Sequence, residues 1–262
     1  MIRRLVLAAV LGAAVFAAIS ASASAAPSAK TLLFCSDISY PPEEFVQGGK
    51  NLGSDIDIGT AVAKKMGMQA KFQNTGFDGI VAALLANKCD AIISGMNDTP
   101  DRRKSIAFVD YLNVGQSFMA KKGNPLHIKK PLDICGHTAG AQVATTNLQT
   151  LQSLDKKCKA KGKKGIQIIS FKEDPLGVVA LKTGHLDIYE SDSPPAVWYT
   201  TKDTSIQIVG PPVNAIPVGI GIKKGSSLQA PMKKAVKALY KSGAMVKILK
   251  KWHMTPFVLK VK

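Results

Sequence analysis

The sequence contains none of the common short motifs of catalytic or metal centres. It has no Cys-x-x-Cys pair, no His-Glu-x-x-His motif and no Gly-rich phosphate loop after a predicted strand. Its histidines are few and scattered along the chain: His127, His137, His185 and His253. We therefore expect no metal, no cofactor and no enzymatic activity.

Long apolar runs are absent beyond the first segment of the chain. The run from Leu5 to Ile19 follows two arginines and precedes small residues, which is the pattern of a secretory signal peptide. The triplet Ala23-Ser24-Ala25 predicts cleavage near Ala25, so that residues 1–25 form the signal peptide. No cysteine follows closely to carry a lipid anchor. We expect a free periplasmic protein. The alternative, an uncleaved anchor helix, needs about 20 apolar residues, and the run is shorter.

Aromatic residues and arginines are scarce among the basic segments. The formal charge of +17 comes mostly from lysines on amphipathic stretches. Nucleic-acid binding uses stacking aromatics and arginine forks between the charges. The lysines are therefore interpreted as solvated faces, and we expect no nucleic-acid partner.

Alternating apolar strands and amphipathic helices predict an α/β fold with two similar units. The predicted strands are Thr31–Ser36, Ala70–Gln73, Ala91–Ser94, His137–Val143, Gln167–Ser170, Leu186–Ser191 and Val218–Ile222. The predicted helices begin at Ser54 or Asp55, either of which can cap, and at Phe77, Thr146 and Pro175, with two more between Ser227 and Trp252. A polar, Pro-rich segment, 210–217, precedes the last strand.

The two units predict two lobes joined by two crossings of the chain. Lobe 1 comprises residues 26–114 and 218–262, and lobe 2 comprises residues 118–212. Residues 115–117 and 213–217 are the predicted hinge segments. In an exported protein, cysteines are more often paired than free. Of three connectivities, only Cys35 with Cys89 and Cys135 with Cys158 keeps each bridge inside one lobe. Free buried thiols are the alternative.

Polar side chains cluster where predicted strands end, which is where parallel sheets bind ligands. Asp37 follows the first strand, and Asn97, Thr99 and Arg102 follow Ser94-Gly95. An arginine fork matches a carboxylate; the alternative is a surface pair of Arg102 with Asp101 or Asp110. Thr145 stands at a strand-to-helix junction, where it caps the helix, binds a ligand or does both. Asp192 offers an acceptor for an ammonium, or else opens a Ser-Pro-Pro turn.

Several motifs in order resemble the bacterial polar-amino-acid-binding proteins of ABC importers, solute-binding family 3. They are Asp37-Ile38-Ser39-Tyr40-Pro41-Pro42, Gly53-Ser54-Asp55-Ile56-Asp57, Phe77-Asp78-Gly79, Asp90-Ala91-Ile92-Ile93-Ser94-Gly95-Met96, Thr99-Pro100-Asp101-Arg102, Asp187, Asp192-Ser193-Pro194 and Val218-Gly219-Ile220 through Trp252. The resemblance covers essentially the whole mature chain. It implies the type II periplasmic-binding-protein fold, with two lobes that each hold a mostly parallel sheet flanked by helices.

The resemblance also implies how a ligand is held. Ser94, Asn97 and Arg102 hold its α-carboxylate, Thr145 and Thr146 add donors, and Asp192 accepts its α-ammonium. Tyr40 and Phe77 enclose its side chain, and Asp37 reaches the far end. The full predicted set is Asp37, Tyr40, Glu43, Phe77, Ser94, Gly95, Met96, Asn97, Arg102, Val143, Thr145, Thr146 and Asp192.

The chain departs from the family pattern in ways that bear on the ligand. Glu43 replaces an aromatic residue, Val143-Ala144 replaces Gln-Gly, and Asn97 replaces a threonine or serine. Glu190 lies two residues before Asp192 on the same side of its strand. Extra acids near the cleft predict a cationic ligand such as arginine, lysine or ornithine.

The resemblance leaves two other functions open. One is a periplasmic dehydratase of the cyclohexadienyl or arogenate type, in which Glu173 or Glu190 transfers the proton. The other is a soluble sensor domain, which differs from an importer component only in its partner. For the importer component we expect a permease of the inner membrane as the partner, and a monomer.

Overall fold

The computed structural model of the protein describes residues 30–259. The predicted signal peptide lies outside the described residues. Within them, no helix is both long and apolar enough to cross a membrane.

The described chain forms ten strands and eight α-helices. The strands are β1 Thr31–Ser36, β2 Phe45–Gln47, β3 Lys50–Leu52, β4 Gln69–Asn74, β5 Ala91–Ile92, β6 Ile106–Lys121, β7 Thr138–Gln142, β8 Gln167–Phe171, β9 Ile188–Asp192 and β10 Ile206–Lys223. The helices are α1 Ser54–Lys65, α2 Ile80–Leu85, α3 Pro100–Arg103, α4 Thr146–Ala160, α5 Asp174–Thr183, α6 Ser193–Lys202, α7 Gln229–Lys241 and α8 Ala244–Lys251. A short 3-10 turn, Phe77–Gly79, precedes α2.

The two predicted α/β units share one long pair of strands. Eight strands lie in the order β4-β1-β5-β10-β6-β9-β7-β8. The outer strands are parallel within each unit, since β1 pairs with β4 and β5, and β7 pairs with β8 and β9. The antiparallel pair of β6 and β10 runs from Ile106 opposite Lys223 to Lys121 opposite Ile206. One half of this pair therefore belongs to each lobe.

Each lobe has its own hydrophobic core. In the first lobe, side chains of β1, β5 and α1 pack with those of α7 and α8, as Phe34, Ile58 and Met232 do. In the second lobe, Phe118 and Leu151 belong to a separate cluster. Burial of such side chains is the main favourable contribution to folding of each lobe. The lobe and hinge boundaries given above stay a prediction.

Both predicted disulfides are present. Cys35 is bonded to Cys89 in the first lobe, and Cys135 is bonded to Cys158 in the second. Each bridge thus lies inside one lobe, and the alternative of free thiols is wrong.

Two local predictions are wrong, and so is the alternative given for Asp192. The Pro-rich segment 210–217 is part of β10, which tolerates prolines because its pairing with β6 shifts register near Val213. The N-cap of α1 is Gly53, with no side-chain capping bond. Asp192 opens a helix rather than a turn: Pro194 and Pro195 stand in the first turn of α6, where no N–H is needed for a helical hydrogen bond.

Candidate functional site between the lobes

The carboxyl ends of strands from both lobes enclose a small cavity. The residues that line it are Asp37, Tyr40, Phe77, Ser94, Gly95, Asn97, Gln142, Thr145, Asn147 and Asp192. Asp37 follows β1, Thr145 follows β7, and Asp192 ends β9. The cavity therefore lies where the parallel strands of the two units point at each other, as expected for an α/β sheet.

Buried carboxylates fix the loop after β5. Ser94 Oγ donates to Glu44 Oε1 at 2.7 Å and accepts from the Asp37 N–H at 2.9 Å. The Gly95 N–H donates to Asp55 Oδ2 at 2.8 Å. Gly95 has φ +51, and a Cβ there would lie 3.0 Å from the Tyr40 ring. Glycine is thus required both by its backbone conformation and by the close approach of Tyr40.

Arg102 crosses from the first lobe to the second. Its backbone N–H is capped by Thr99 Oγ1 at 3.2 Å. Its Nη1 donates to the Asn97 carbonyl at 2.8 Å and its Nη2 to the Ala144 carbonyl at 3.1 Å. The guanidinium also lies over the Phe77 ring, 5.2 Å from the centroid.

The alternative given for Arg102, a surface pair with Asp101 or Asp110, is wrong. Asp101 pairs with Lys104 at 2.7 Å, and Arg103 pairs with Asp98. Burial lowers the pKa of Arg102 to about 10, although the charges of Asp192 and Asp98 oppose the shift. The guanidinium therefore remains cationic at neutral pH, with N–H groups left for a carboxylate.

Thr145 and Thr146 supply hydroxyls from the start of α4. Thr145 Oγ1 accepts from the Leu148 N–H at 3.2 Å, so Thr145 is the N-cap, and the residue also lines the cavity. Capping and lining are therefore compatible. Thr146 Oγ1 donates to Asn97 Oδ1 at 2.6 Å, across the gap between the lobes.

Asp192 is buried and only partly neutralised. It is 3% exposed, and its Oδ2 accepts from Asn97 Nδ2 at 3.2 Å. Burial raises the pKa of Asp192 to about 7, an effect that the Asn97 hydrogen bond and the Arg102 charge only reduce. A positive group placed beside this carboxylate would favour its ionised form.

The lobes touch each other across the cavity. Gln142 Nε2 donates to Asp37 Oδ2 at 2.7 Å, and the Asp192 N–H donates to the Tyr40 hydroxyl at 3.2 Å. The cavity measures about 10 Å³, which is room for about one water molecule. An amino acid can enter only when the lobes separate.

The structure brings together most, but not all, of the predicted site residues. Eight of them line the cavity: Asp37, Tyr40, Phe77, Ser94, Gly95, Asn97, Thr145 and Asp192. Arg102 and Thr146 stand just behind, each bonded to Asn97. Glu43, Met96 and Val143 do not line it: Met96 packs in the apolar core beside β5, and Glu43 is buried at 2% exposure.

Sequence reasoning missed two lining residues, Gln142 and Asn147. Gln142 is the last residue of β7, a position equivalent to the end of β1 just before Asp37. That equivalence was a usable signal. Asn147 follows Thr146 inside α4, and nothing in the sequence distinguishes it from the other polar residues of that helix.

The two candidate catalytic acids lie away from the cavity. Glu190 is fully buried opposite Phe118, and neither carboxylate oxygen has a hydrogen-bond partner among the described residues. Burial raises the pKa of Glu190 well above its ordinary value. Glu173 is exposed at the start of α5. Within residues 30–259, no group of three or more His, Cys, Asp or Glu side chains is arranged to hold a metal ion.

Comparison with known proteins identifies the family. The bacterial extracellular solute-binding proteins, family 3, match residues 32–255. This chain belongs to that family. The arginine-binding extracellular protein ArtP of Bacillus subtilis is 27% identical over 232 residues, covering 85% of this chain and 86% of ArtP. The prediction of a solute-binding protein rather than an enzyme is therefore confirmed.

Solved structures of arginine-binding and amino acid-binding proteins are similar to this chain over most of its length. An ancestral arginine-binding protein bound to arginine is similar with a TM-score of 0.79 and 33% identity, covering 85% of this chain and 97% of that one. The ancestral amino acid-binding protein AncCDT-1, a precursor of cyclohexadienyl dehydratase, is similar with a TM-score of 0.77 and 30% identity, covering 85% and 95%. The predicted two-lobe fold is confirmed.

Proposed function

We propose that this chain is the exported substrate-binding component of an ABC importer and that its ligand is an amino acid with a cationic side chain. The observation that carries the proposal is the charge around the cavity. Asp37 and Asp192 line it, and the guanidinium of Arg102 lies beside it. Arg102 balances one carboxylate of the ligand, so the remaining acids favour additional positive charge.

The proposed roles use residues that line the cavity and, for Arg102 and Thr146, residues just behind it. Arg102, with Ser94 and Asn97, receives the α-carboxylate, and Thr145 and Thr146 add donors from the second lobe. Asp192 receives the α-ammonium. Tyr40 and Phe77 flank the ligand side chain, and Asp37 accepts its distal cation. One face of Phe77 already contacts Arg102, so the ligand meets the ring on its other side.

The relatives support the class of ligand. ArtP and the ancestral protein are both named as arginine-binding. We infer arginine, lysine or ornithine as the ligand of this chain.

Closure of the two lobes is the proposed mechanism of capture. The lobes are residues 26–114 with 218–262, and 118–212; they rotate about residues 115–117 and 213–217, where β6 and β10 pass between them. The ligand favours the closed form because each lobe supplies half of its contacts. Residues 1–25 direct export to the periplasm, where the mature monomer delivers its ligand to the permease.

Isothermal titration tests the proposal. The mature protein, refolded to remove carried-over ligand, is titrated with arginine, lysine, ornithine, citrulline and glutamine. One-to-one binding of the cationic amino acids is expected, weakened about 100-fold or more in Arg102→Ala because a charge-assisted pair is lost. Lys104→Ala, an exposed change two residues away, is the matched control. Asp37→Asn is expected to weaken arginine and spare glutamine. Binding of neutral amino acids alone would refute the cationic specificity.

A further inference from the structure

A row of side-chain amides connects Asp192 to both long strands. Asn147 pairs with Asp192 twice: its Nδ2 donates to Asp192 Oδ1 and its Oδ1 accepts from the Asp192 N–H, both at 2.9 Å. In this orientation Asn147 Nδ2 lies 2.9 Å from Gln116 Nε2, where two donor groups meet, so the Asn147 and Gln116 amides are in contact but not hydrogen-bonded. Gln116 Oε1 accepts from Asn214 Nδ2 at 2.8 Å. The row therefore runs from the cavity to β6 and on to β10.

The interior of this row is buried. Asp192 is 3% exposed, Asn147 is 4% exposed and Gln116 is 1% exposed. Hydrogen bonds to a carboxylate at such sites are stronger than at the surface, and a buried partner left without its bond is costly. Removing the Asn147 amide should therefore change the pKa of the Asp192 carboxyl group.

Gln116 occupies the centre of three adjacent strands. Its Cα pairs with that of Asp192 in β9 and with that of Val213 in β10. Its side chain also contacts Thr146 Oγ1 at 3.0 Å and Thr150 Oγ1 at 2.8 Å. One side chain thus joins the start of α4, the end of β9 and both strands that pass between the lobes.

We propose that Asn147 is a positioning residue for the ligand: it holds the Asp192 carboxylate in the orientation that accepts an ammonium, and Gln116 packs against it from the strands that connect the lobes. The inference rests on the proposed function, because the ammonium is that of the proposed amino acid. Neither residue was among the predicted site residues.

The test follows the Asp192 carboxyl group directly. Protein labelled with 13C at the aspartate carboxyl carbons is titrated with pH by NMR without ligand, and Asp192→Asn assigns the signal. Asn147→Ala removes a donor to the carboxylate, so the Asp192 midpoint should rise by roughly half a unit or more, and Gln116→Leu should raise it less. These variants leave unchanged the other charged groups that interact with Asp192, which are Arg102, Asp174, Glu43 and Glu190. Gln152→Ala, an exposed change on the same helix, should leave the midpoint unchanged.

Titration of the same variants with arginine completes the test. Asn147→Ala should raise the Kd about tenfold or more, and Asn147→Ser, which keeps a hydroxyl, should raise it less. Asn147→Ser also serves if Asn147→Ala fails to fold. If the wild type binds no cationic amino acid, the proposed function fails, and the NMR midpoints still decide whether Asn147 holds the carboxylate. If the wild type binds arginine while Asn147→Ala changes neither midpoint nor Kd, the positioning role is refuted and the proposed function stands. A Kd that rises equally at every pH, with an unchanged midpoint, also refutes it.

Discussion

Acidification should weaken ligand binding through Asp192. With the lobes closed and no ligand, burial raises the pKa of this carboxyl to about 7 and outweighs Asn97 and Arg102. The proposed ammonium needs the ionised form, so a protonated Asp192 must lose its proton before binding. Binding therefore releases a proton below pH 7 and is strongest above it. The charges nearest to Asp192, from Arg102 and Asp174, are part of the same balance.

The size of the effect follows from that pKa. With a free-protein value of about 7 and a much lower value in the complex, the Kd should rise about 10-fold from pH 8 to pH 6 and about 100-fold from pH 8 to pH 5. These changes correspond to about 1.4 and about 2.7 kcal/mol. Arginine keeps its charge across this range, so the change comes from the protein.

Calorimetry in buffers of different ionisation enthalpy measures both the Kd and the released protons. Asp192→Asn should bind weakly and lose the pH dependence. Asp174→Asn is the matched control: burial also raises the pKa of Asp174, to about 6, yet Asp174 does not line the cavity, so most of the slope should persist. A wild-type Kd that is constant from pH 5 to pH 8, or proton uptake on binding, would refute the reasoning.

Three further predictions concern packing and closure. Gly177→Ala should destabilise the second lobe by about 1–3 kcal/mol in urea unfolding, because a Cβ there would lie 2.0 Å from the Tyr189 ring; Gly79→Ala, with open space around it, should not. Ala144→Gly should raise the melting temperature slightly, because Ala144 has φ 61 and a left-handed conformation costs about 1–2 kcal/mol; a lower melting temperature would contradict this strain. Trp252→Phe leaves Trp198, which packs on Phe45 at 5.3 Å between ring centroids, as the remaining tryptophan. If closure forms this contact, arginine should change the fluorescence emission of Trp198. An unchanged spectrum means that the contact persists without ligand.

Local periodicity was enough to predict most of the helices and the parallel strands. The strand pattern from Thr31 to Ser36 and the helical pattern from Thr146 both reflect burial of one face, which sets the spacing of apolar residues within a short segment. Long-range pairing was not visible in the same way. The segment 210–217 carries three prolines and is still part of β10, because β6 supplies a partner about a hundred residues away in the chain.

The residues of the candidate site differ in the same way in how far they could be predicted from the sequence. Residues at strand ends, such as Asp37, Ser94 and Asp192, were predictable because topology gathers them at one edge. Gln142, which bonds to Asp37, 105 residues away, ends β7 and could have been found by the same rule. Asn147 could not, because its role depends on its bond to Asp192 in another element. Met96 was predicted by resemblance alone, and its side chain lies on the core side of the loop after β5.

Repulsion between the lobes links the charge of the cavity to closure. Burial raises the pKa of Asp37 and of Glu43, and carboxylates across the gap add to each shift: Glu173 acts on Asp37, and Asp192 and Asp174 act on Glu43. Bringing the lobes together without a cation therefore forces these acids to take up protons or to repel each other. A cationic amino acid removes that penalty only where it sits, between the lobes. The same acids that favour a positive ligand thus also disfavour closure in its absence, so that the closed form reports that the ligand is bound.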